Sequence, residues 1–357
     1  MFETMRAVFK TKPEYGAFEV LDTPAAPLPS ANEVRIKVES VGICGTDLSI
    51  YKWTETVAKE YNPPFPVIPG HEFAGIVDQV GNAVTHVKIG DKVAVNAHIS
   101  CGQCKNCRKG RESICVNRPI LGCHANGGLT QYITVRGKNV FRLPDHLPIY
   151  LGSLAEPLSV AVHALERVQD DEPPNEQVAA IVGCGTIGIL QYIACKAVGF
   201  KEIVILGLNM DKDRLSLAES MGAKTINVEE DDIFQKMEQL TGQPKADVVF
   251  EVAGTDSSIV LAIDLANSSS KVALVGIAAA KTPIETTKLV FAEKDLIGCR
   301  AYNLSTWSKT VDIIGKIIPE LEKIVTHRFS LDGIHDAIDL LMQKKCLKVV
   351  IEPWKTA

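Results

Sequence analysis

One glycine-rich turn limits the folds open to this 357-residue chain more than any other feature of its sequence. The apolar run Val178–Val182 leads directly into Gly183-Cys-Gly-Thr-Ile-Gly188, and a helix is predicted at residues 189–198. The first glycine permits a tight turn, the second lets the backbone approach a pyrophosphate, and the third allows the helix to pack closely on the strand. Free N–H groups at the helix start favour an anion. The turn predicts a dinucleotide site that comprises Gly183, Gly185, Thr186, Ile187 and Gly188.

The segments around this turn predict an α/β architecture. Strands alternate with helical segments beyond residue 178, and six strands with helical crossovers indicate a doubly wound parallel sheet, the Rossmann arrangement. A helix is predicted at 153–168, just before this sheet. The predicted strands cover residues 178–182, 203–206, 225–227, 247–252, 272–275 and 296–299.

The first 150 residues have a different character and are predicted to be all-β. Short β-branched runs at 33–38, 73–80, 92–95 and 129–135 are separated by glycine, proline and asparagine. Beyond residue 302 we expect helices at 308–318 and 334–344 and strands at 326–329 and 348–351, the last pairing with the first domain. The length exceeds one ordinary core. Two domains are therefore predicted, one from residues 1–155 and 303–357 and the other from 156–302.

Composition and charge argue against several classes of protein. The net charge of −5, from 38 basic and 43 acidic residues, gives no support for nucleic-acid or membrane partners. The N-terminal residues lack the apolar run of a signal peptide, and the most apolar stretch is too short to span a bilayer. Ten cysteines without an export signal indicate thiols and metal ligands in a reducing compartment, so we expect a cytoplasmic protein.

Four closely spaced cysteines predict a structural zinc site, which comprises Cys101, Cys104, Cys107 and Cys115. Three thiols at i, i+3 and i+6 and a fourth after a short loop can surround one tetrahedral ion without long-range folding. Two disulfides are the alternative, although cysteines three apart strain a direct bridge. We call the segment that carries these four cysteines the knuckle. Its basic residues could also indicate a nucleic-acid module, but the net negative charge of the chain argues against one. Four thiolates leave no open position, so this metal would brace a loop and perform no chemistry.

A second, mixed metal site is predicted from four residues that are far apart in the sequence: Cys44, His71, Glu72 and Glu156. One thiolate, one imidazole and one carboxylate make a three-ligand zinc site whose fourth position is open to water or substrate. Each residue has an ordinary alternative, as a core cysteine, a satisfied polar histidine or a helix-capping glutamate. Together with the knuckle and the dinucleotide turn, they favour a catalytic metal.

The residues that follow the second predicted strand of the sheet bear on the choice of dinucleotide. An acid that binds the adenosine ribose is expected about 20 residues beyond the turn, and Gly207 stands there instead. Lys212 and Arg214 follow and could contact a 2′-phosphate, whereas Asp211 or Asn209 could bind the ribose. The pattern slightly favours NADP over NAD.

These motifs resemble those of the zinc-dependent medium-chain alcohol dehydrogenases over essentially the whole chain. The run Gly70-His-Glu-x2-Gly75-x5-Gly81-x2-Val84 is similar to the zinc signature of that family. The resemblance implies a β-rich, GroES-like catalytic domain and a Rossmann domain, with one catalytic and one structural zinc. It further implies that Cys44, His71 and Glu156 bind the catalytic zinc. Glu72 would be a neighbouring or exchanging ligand, and Thr46 would take the alcohol proton.

Within that family the chain resembles two branches. Residues 44–53 are similar to bacterial threonine dehydrogenases, and residues 155–164 to sorbitol and other polyol dehydrogenases. Many relatives have a histidine that completes a proton relay where this chain has Ser49. The resemblance implies oxidation of a secondary alcohol of a polyol or sugar alcohol, free or phosphorylated, with NADP or NAD. L-Threonine oxidation and a non-catalytic nucleotide-binding protein are the alternatives. A homo-oligomer, tetramer or dimer, is also expected.

Overall fold

The computed structural model describes residues 4–278 and 281–356 and divides the chain into two compact units. Unit 1 comprises Met1–Glu156 and Asn303–Ala357, and unit 2 comprises Pro157–Tyr302. The sequence prediction placed the first change of unit one residue earlier, after residue 155. The outermost residues of the predicted domains (1–3 and 357) and residues 279–280 lie outside the described residues.

The described residues form β-strands and α-helices with the following bounds. The strands are β1 (Thr4–Lys10), β2 (Phe18–Pro24), β3 (Glu33–Gly42), β4 (Glu72–Val80), β5 (Lys92–Val95), β6 (Tyr132–Arg136), β7 (Val140–Arg142), β8 (Val178–Val182), β9 (Glu202–Gly207), β10 (Lys224–Asn227), β11 (Ala246–Glu251), β12 (Ala266–Leu274), β13 (Asp295–Gly298), β14 (Val325–Phe329) and β15 (Lys348–Ile351). The helices are α1 (Gly45–Lys52), α2 (Ala155–Val168), α3 (Thr186–Val198), α4 (Lys212–Ser220), α5 (Ile233–Thr241), α6 (Asp256–Leu265), α7 (Thr286–Val290), α8 (Leu304–Ile314), α9 (Ile318–Ile324) and α10 (Ile334–Met342).

Unit 2 is built on a parallel six-stranded sheet with the order β10-β9-β8-β11-β12-β13. Each residue of β8 is buried, which is typical of a central parallel strand whose two faces are both covered. The strand order reverses between β8 and β11, and ligands bind at such a switch point beyond the carboxyl ends of the strands. The predicted doubly wound sheet is confirmed.

Unit 1 is β-rich, and its main sheet has the order β14-β15-β3-β4-β5-β7, with β6 also paired to β3. The C-terminal strand β15 pairs antiparallel with β3, and Ile351 faces Val41. This pairing brings the end of the chain beside the segment that enters the predicted catalytic site. It confirms the expected return of the last strand to the first domain.

Two predictions about helices were wrong. The first 150 residues are not all-β, because α1 follows β3 directly and carries Asp47 in its first turn. The helix predicted at 308–318 is two helices, α8 and α9, which are separated around Gly315. Glycine disfavours a continuing helix, and Pro319 fits the first turn of the second one. Among the described residues, every helix is too short or too polar to cross a membrane.

Candidate functional site

The four knuckle cysteines converge on one point of unit 1. Their Sγ atoms are separated by 3.5 Å between Cys104 and Cys107, 3.5 Å between Cys101 and Cys115, 3.9 Å between Cys101 and Cys107, and 4.0 Å between Cys104 and Cys115. A tetrahedron with Zn–S bonds of about 2.3 Å has edges of about 3.8 Å. A disulfide would need sulfurs about 2 Å apart. The cluster therefore fits zinc, and the disulfide alternative does not match these distances.

Backbone donors prepare the knuckle thiols for a metal. The N–H groups of Cys104 and Cys107 point to the preceding sulfurs at 3.4 and 3.5 Å. The hydrogen bond from the Cys107 N–H is the main cause that lowers the pKa of Cys104 to about 6. Burial raises the pKa of Cys107 to about 12 in the same cluster. One thiol is thus prepared as a thiolate, and a bound cation would deprotonate the others.

The mixed cluster begins at the N-terminus of α1. Cys44 occupies the N-cap position, and its backbone N–H donates to Asp47 Oδ2 at 2.9 Å. The other oxygen of Asp47 accepts a hydrogen bond from the N–H of Gly70 at 3.2 Å. The fully buried Asp47 carboxylate therefore joins the loop that carries Cys44 to the loop that carries His71.

His71 and Glu72 complete a group of three ligand atoms with Cys44, all within 4.8 Å of one another. His71 Nδ1 lies 3.8 Å from Asp47 Oδ1 and is buried with no hydrogen-bond partner in the part of the chain that the structure describes. Burial opposes protonation of His71, but the negative charges of Asp47 and Cys44 outweigh it and raise the pKa well above its ordinary value. A site that attracts a proton in this way also attracts a metal cation.

Glu72 has a buried cationic partner that was not predicted from the sequence. The ammonium of Lys348, at the start of β15, forms an ion pair with Glu72 Oε2 and donates to the carbonyl oxygen of Ile43 at 3.1 Å. Only 4% of the Lys348 side chain and 2% of the Glu72 side chain are exposed. Burial disfavours the charged lysine, but the charges of Glu72 and Cys44 outweigh it and raise the pKa of Lys348. Lys348 therefore compensates one negative charge of the cluster.

Glu156 and Cys123 lie around this group but are not part of it in the structure. Glu156 is the second residue of α2 and is 7% exposed, and its negative charge helps raise the pKa of Lys348. It also acts on Cys123, whose thiol pKa rises to about 12, chiefly through burial. The predicted ligand Glu156 is thus within electrostatic range of the cluster, and Cys123 is a neighbouring thiol that sequence reasoning missed.

Thr46 and Ser49, the residues considered for a proton relay, both lie on α1. The hydroxyl of Thr46 is 4.0 Å from Cys44 Sγ, so it faces the cluster. The hydroxyl of Ser49 donates to the carbonyl oxygen of Gly45 at 3.1 Å. Ser49 is therefore engaged by its own helix, whereas Thr46 is available to the metal site.

The dinucleotide turn has the geometry that its glycines predict. Gly183 has a φ of +119°, a conformation that other residues rarely adopt. A side chain on Gly188 would overlap the carbonyl oxygen of Gly183, so α3 could not pack so closely with any larger residue. A side chain on Gly185, the N-cap of α3, would meet no atom within 4 Å. Thr186 and Ile187 begin α3, and the positive end of a helix dipole at this position suits an anion.

The residues considered for the adenosine ribose or a 2′-phosphate already contact neighbouring polar side chains. The N–H of Asn209 donates to Glu229 Oε2 at 2.6 Å, and its side-chain oxygen accepts from Asn227 at 2.8 Å. Arg214 pairs with Asp211 at 3.0 Å, and Lys212 pairs with Glu230 at 2.9 Å. Both cations that could contact a 2′-phosphate therefore have acidic partners in the structure.

Sequence reasoning missed Asp47, Lys348 and Cys123 as contributors to the mixed site. Asp47 had a signal, because it follows Cys44 by only three residues. Lys348 had none, since it is about 276 residues from Glu72 and only the β3–β15 pairing brings it close. Both predicted clusters provide ligand types and spacings that suit zinc.

Comparisons with known proteins match the chain to two domains of zinc-binding dehydrogenases. Residues 30–145 match the alcohol dehydrogenase GroES-like domain, and residues 186–316 match the zinc-binding dehydrogenase domain. An L-threonine 3-dehydrogenase of Shewanella frigidimarina (strain NCIMB 400) is 34% identical over 352 residues. The alignment covers 97% of this chain and 99% of that protein.

Solved structures show the same fold over nearly the whole chain. An alcohol dehydrogenase from Escherichia coli CFT073, complexed with NADH, has a TM-score of 0.86 and 27% identity, covering 98% of this chain and 99% of that one. Galactitol-1-phosphate dehydrogenase from Escherichia coli has a TM-score of 0.86 and 29% identity, covering 98% and 100%.

Proposed function

The chain belongs to the zinc-binding medium-chain alcohol dehydrogenases, and from this premise we propose that it oxidises a secondary alcohol of a polyol or sugar alcohol, free or phosphorylated. As a member of that family it is an NAD(P)-dependent oxidoreductase. The observation that carries the proposal is the convergence of Cys44, His71 and Glu72 beside the separate four-thiol knuckle. The mixed site suits a catalytic metal, and the knuckle suits a structural metal that stabilises its loop.

Five residues at or near the mixed site have a part in this proposal. Cys44, His71 and Glu156 would hold the zinc, which when bound supplies a Lewis acid that makes an alcohol hydroxyl more acidic. Asp47 keeps Cys44 and His71 in place through the bonds described above. Thr46 would accept and pass on the hydroxyl proton. The Gly183–Gly188 turn would hold NAD(P)+, which when bound supplies the hydride acceptor.

L-Threonine is the second candidate substrate, because it also carries a secondary hydroxyl. It is supported by the relative named an L-threonine 3-dehydrogenase and by the resemblance of residues 44–53. Within that segment, however, Tyr51 is only 7% exposed, and its hydroxyl lies 3.2 Å from His335 Nδ1. Its contacts belong to the core of unit 1, so this part of the resemblance does not distinguish substrates.

For the cofactor, we propose that NAD+ is preferred over NADP+. The sequence pattern slightly favoured NADP, because Lys212 and Arg214 could contact a 2′-phosphate. In the structure both cations are paired, with Glu230 and Asp211 respectively, and Glu229 lies nearby. A 2′-phosphate would have to share these cations with their acidic partners and approach several carboxylates.

A substrate screen of the zinc-replete enzyme tests these proposals. Sorbitol, other polyols, their phosphates, short secondary alcohols and L-threonine are each assayed with NAD+ and with NADP+. We expect the highest kcat/KM with a polyol or polyol phosphate and NAD+. Threonine turnover at least tenfold above every polyol would make the second candidate correct. Absence of turnover with all substrates in protein that holds both metals would favour the non-catalytic alternative.

The assembly and location of the protein remain predictions. A homo-oligomer, dimer or tetramer, is supported by exposed apolar side chains near the edge strand β13, where Phe291 is 87% and Ile277 is 86% exposed. Light scattering after size exclusion measures this directly. The described residues contain no disulfide. The predicted cytoplasmic location, a reducing compartment, can be checked by fractionation.

A further inference from the structure

Glu251 is a fully buried carboxylate at the carboxyl end of β11 that the proposed chemistry leaves unused. Its Oε1 accepts three hydrogen bonds, from the N–H of Ala253 at 2.8 Å, the N–H of Gly254 at 2.7 Å and the hydroxyl of Ser258 at 2.8 Å. Its Oε2 is buried without a hydrogen-bond partner among the described residues. All three donors are neutral. A buried oxygen without a hydrogen bond costs folding free energy, so such an oxygen indicates a functional role.

The backbone of this segment joins three strand ends at one edge of the sheet. The carbonyl oxygen of Glu251 accepts from the N–H groups of Val275 and Gly276 at 2.9 and 3.0 Å, just beyond β12. The N–H of Val252 donates to Val182 at 3.0 Å, at the end of β8. A side chain on Gly276 would come within 2.6 Å of the unpaired Glu251 oxygen. The carboxylate therefore lies directly under the segment that follows β12.

The sheet order indicates which half of the cofactor lies above Glu251. The pyrophosphate turn follows β8, and the candidate ribose contacts follow β9 on one side of it. A dinucleotide crosses the switch point with one mononucleotide on each side. The adenosine half therefore belongs to the β9 side, and the nicotinamide half belongs to the side of β11 and β12, where Glu251 lies.

We propose that Glu251 is a positioning residue for the nicotinamide half of the cofactor and that its negative charge favours the oxidised form. This inference rests on the proposed use of NAD(P)+. The oxidised nicotinamide ring carries a positive charge, whereas the reduced ring is neutral. A buried carboxylate bonded only to neutral donors attracts the former more strongly, because little solvent screens the charge. Glu251 also holds the 252–254 turn, which packs against Gly183.

Binding measurements on Glu251→Gln test this inference without any substrate. The glutamine keeps the size and can still accept from the three donors, but it removes the charge. Calorimetric dissociation constants are measured for NAD+, NADH and ADP-ribose, the last of which lacks nicotinamide. We expect NAD+ affinity to fall about tenfold relative to NADH, as loss of one poorly screened charge predicts. Affinity for ADP-ribose should stay within about twofold.

Asp247→Asn provides the matched control on the same strand. Asp247 lies near the opposite end of β11, where it accepts from the N–H of Val178 at 2.8 Å, and its variant loses the same charge. We expect its NAD+ to NADH ratio to equal that of the wild type. An unchanged ratio in Glu251→Gln, or an equal loss for ADP-ribose, would overturn the inference.

If Glu251→Gln does not fold, Glu251→Asp replaces it. The shorter acid moves the charge away from the sheet edge, so NAD+ should bind more weakly and ADP-ribose normally. A loss that includes ADP-ribose would overturn the inference in this variant too. Because no alcohol is involved, a wrong substrate proposal would leave these results unaffected.

Discussion

The two cysteine-containing clusters of unit 1 balance charge in different ways. The knuckle gathers four thiols from fifteen residues of chain, and its closest supporting donors are its own backbone N–H groups. The mixed cluster gathers Cys44 from the start of α1 and the adjacent His71 and Glu72 from the start of β4, and it adds a buried ion pair with Lys348. The first needs only local chain geometry, whereas the second depends on the folded unit.

The two clusters therefore differ in how the negative charge of their ligands is compensated. Four thiolates around a dication leave an excess of negative charge, which solvent and backbone donors stabilise at a partly exposed site. In the mixed site, Cys44 and Glu156 would neutralise the dication, and Lys348 neutralises Glu72 separately. An open coordination position can then serve an alcohol, because the neighbouring carboxylate already has a partner. The following variants test this division, beginning with the largest expected effect.

Glu156→Gln tests the predicted third ligand of the mixed site. The variant keeps the size of the side chain but removes its charge, so zinc at the mixed site should bind more weakly. The kcat should fall about a thousandfold, because several kcal/mol of Lewis-acid stabilisation would be lost. Zinc content and polyol oxidation are measured together, with Glu166→Gln on the same helix as control. A helix-capping role would instead cost at most about 1 kcal/mol of stability and leave the rate nearly intact. Near-normal zinc and rate would remove Glu156 from the ligand set.

Cys104→Ser tests the knuckle. The variant should lose one of two zinc ions per chain, because a serine hydroxyl does not replace the thiolate, and structural zinc binding is coupled to folding. We expect the melting temperature to fall by about 5–10 °C, while the kcat of the remaining folded protein changes by less than about threefold. Lys109→Ala in the same knuckle should keep both metals. Wild-type protein with one zinc or none under zinc-replete conditions would contradict the two-site assignment.

The same contrast explains how much could be predicted from the sequence. The knuckle, the glycine turn and the six-strand pattern are local, so spacing and periodicity were sufficient to predict them. The single helix expected at 308–318 failed because Gly315 stops α8 and a second helix follows. Lys348 could not be predicted, because its partnership with Glu72 depends on the pairing of β15 with β3. The ion pairs of Lys212 and Arg214 likewise form with acids that folding brings close.

Lys348→Met tests whether the Lys348 ammonium is needed to neutralise the Glu72 carboxylate. Methionine has a similar length but no charge, so Glu72 would be left buried and unpaired or would turn to the metal. Both zinc ions should remain, the free energy of unfolding should fall by about 3 kcal/mol, and kcat should fall by about 10- to 100-fold. Cobalt substitution allows the coordination to be followed by visible absorption, and Lys348→Arg should restore most of the activity. Full activity and stability in Lys348→Met would show that Glu72 needs no cation.

Cys123→Ser has the smallest expected effect and distinguishes two candidates for the third ligand. Both Cys123 and Glu156 lie outside the three-atom group, and a thiolate is a strong zinc ligand. The Cys123 thiol is 1% exposed, and burial raises its pKa to about 12, whereas Glu156 acts on Lys348 and Cys123 as a negative charge. We expect serine at 123 to leave zinc occupancy and kcat within about twofold, because the resemblance of residues 155–164 to polyol dehydrogenases gives the third ligand position to Glu156, and the Cys123 thiol then contributes packing alone. Loss of the cluster zinc in Cys123→Ser, together with its retention in Glu156→Gln, would make Cys123 the ligand. Glu156 would then be a supporting charge, and the mixed site would carry two thiolates.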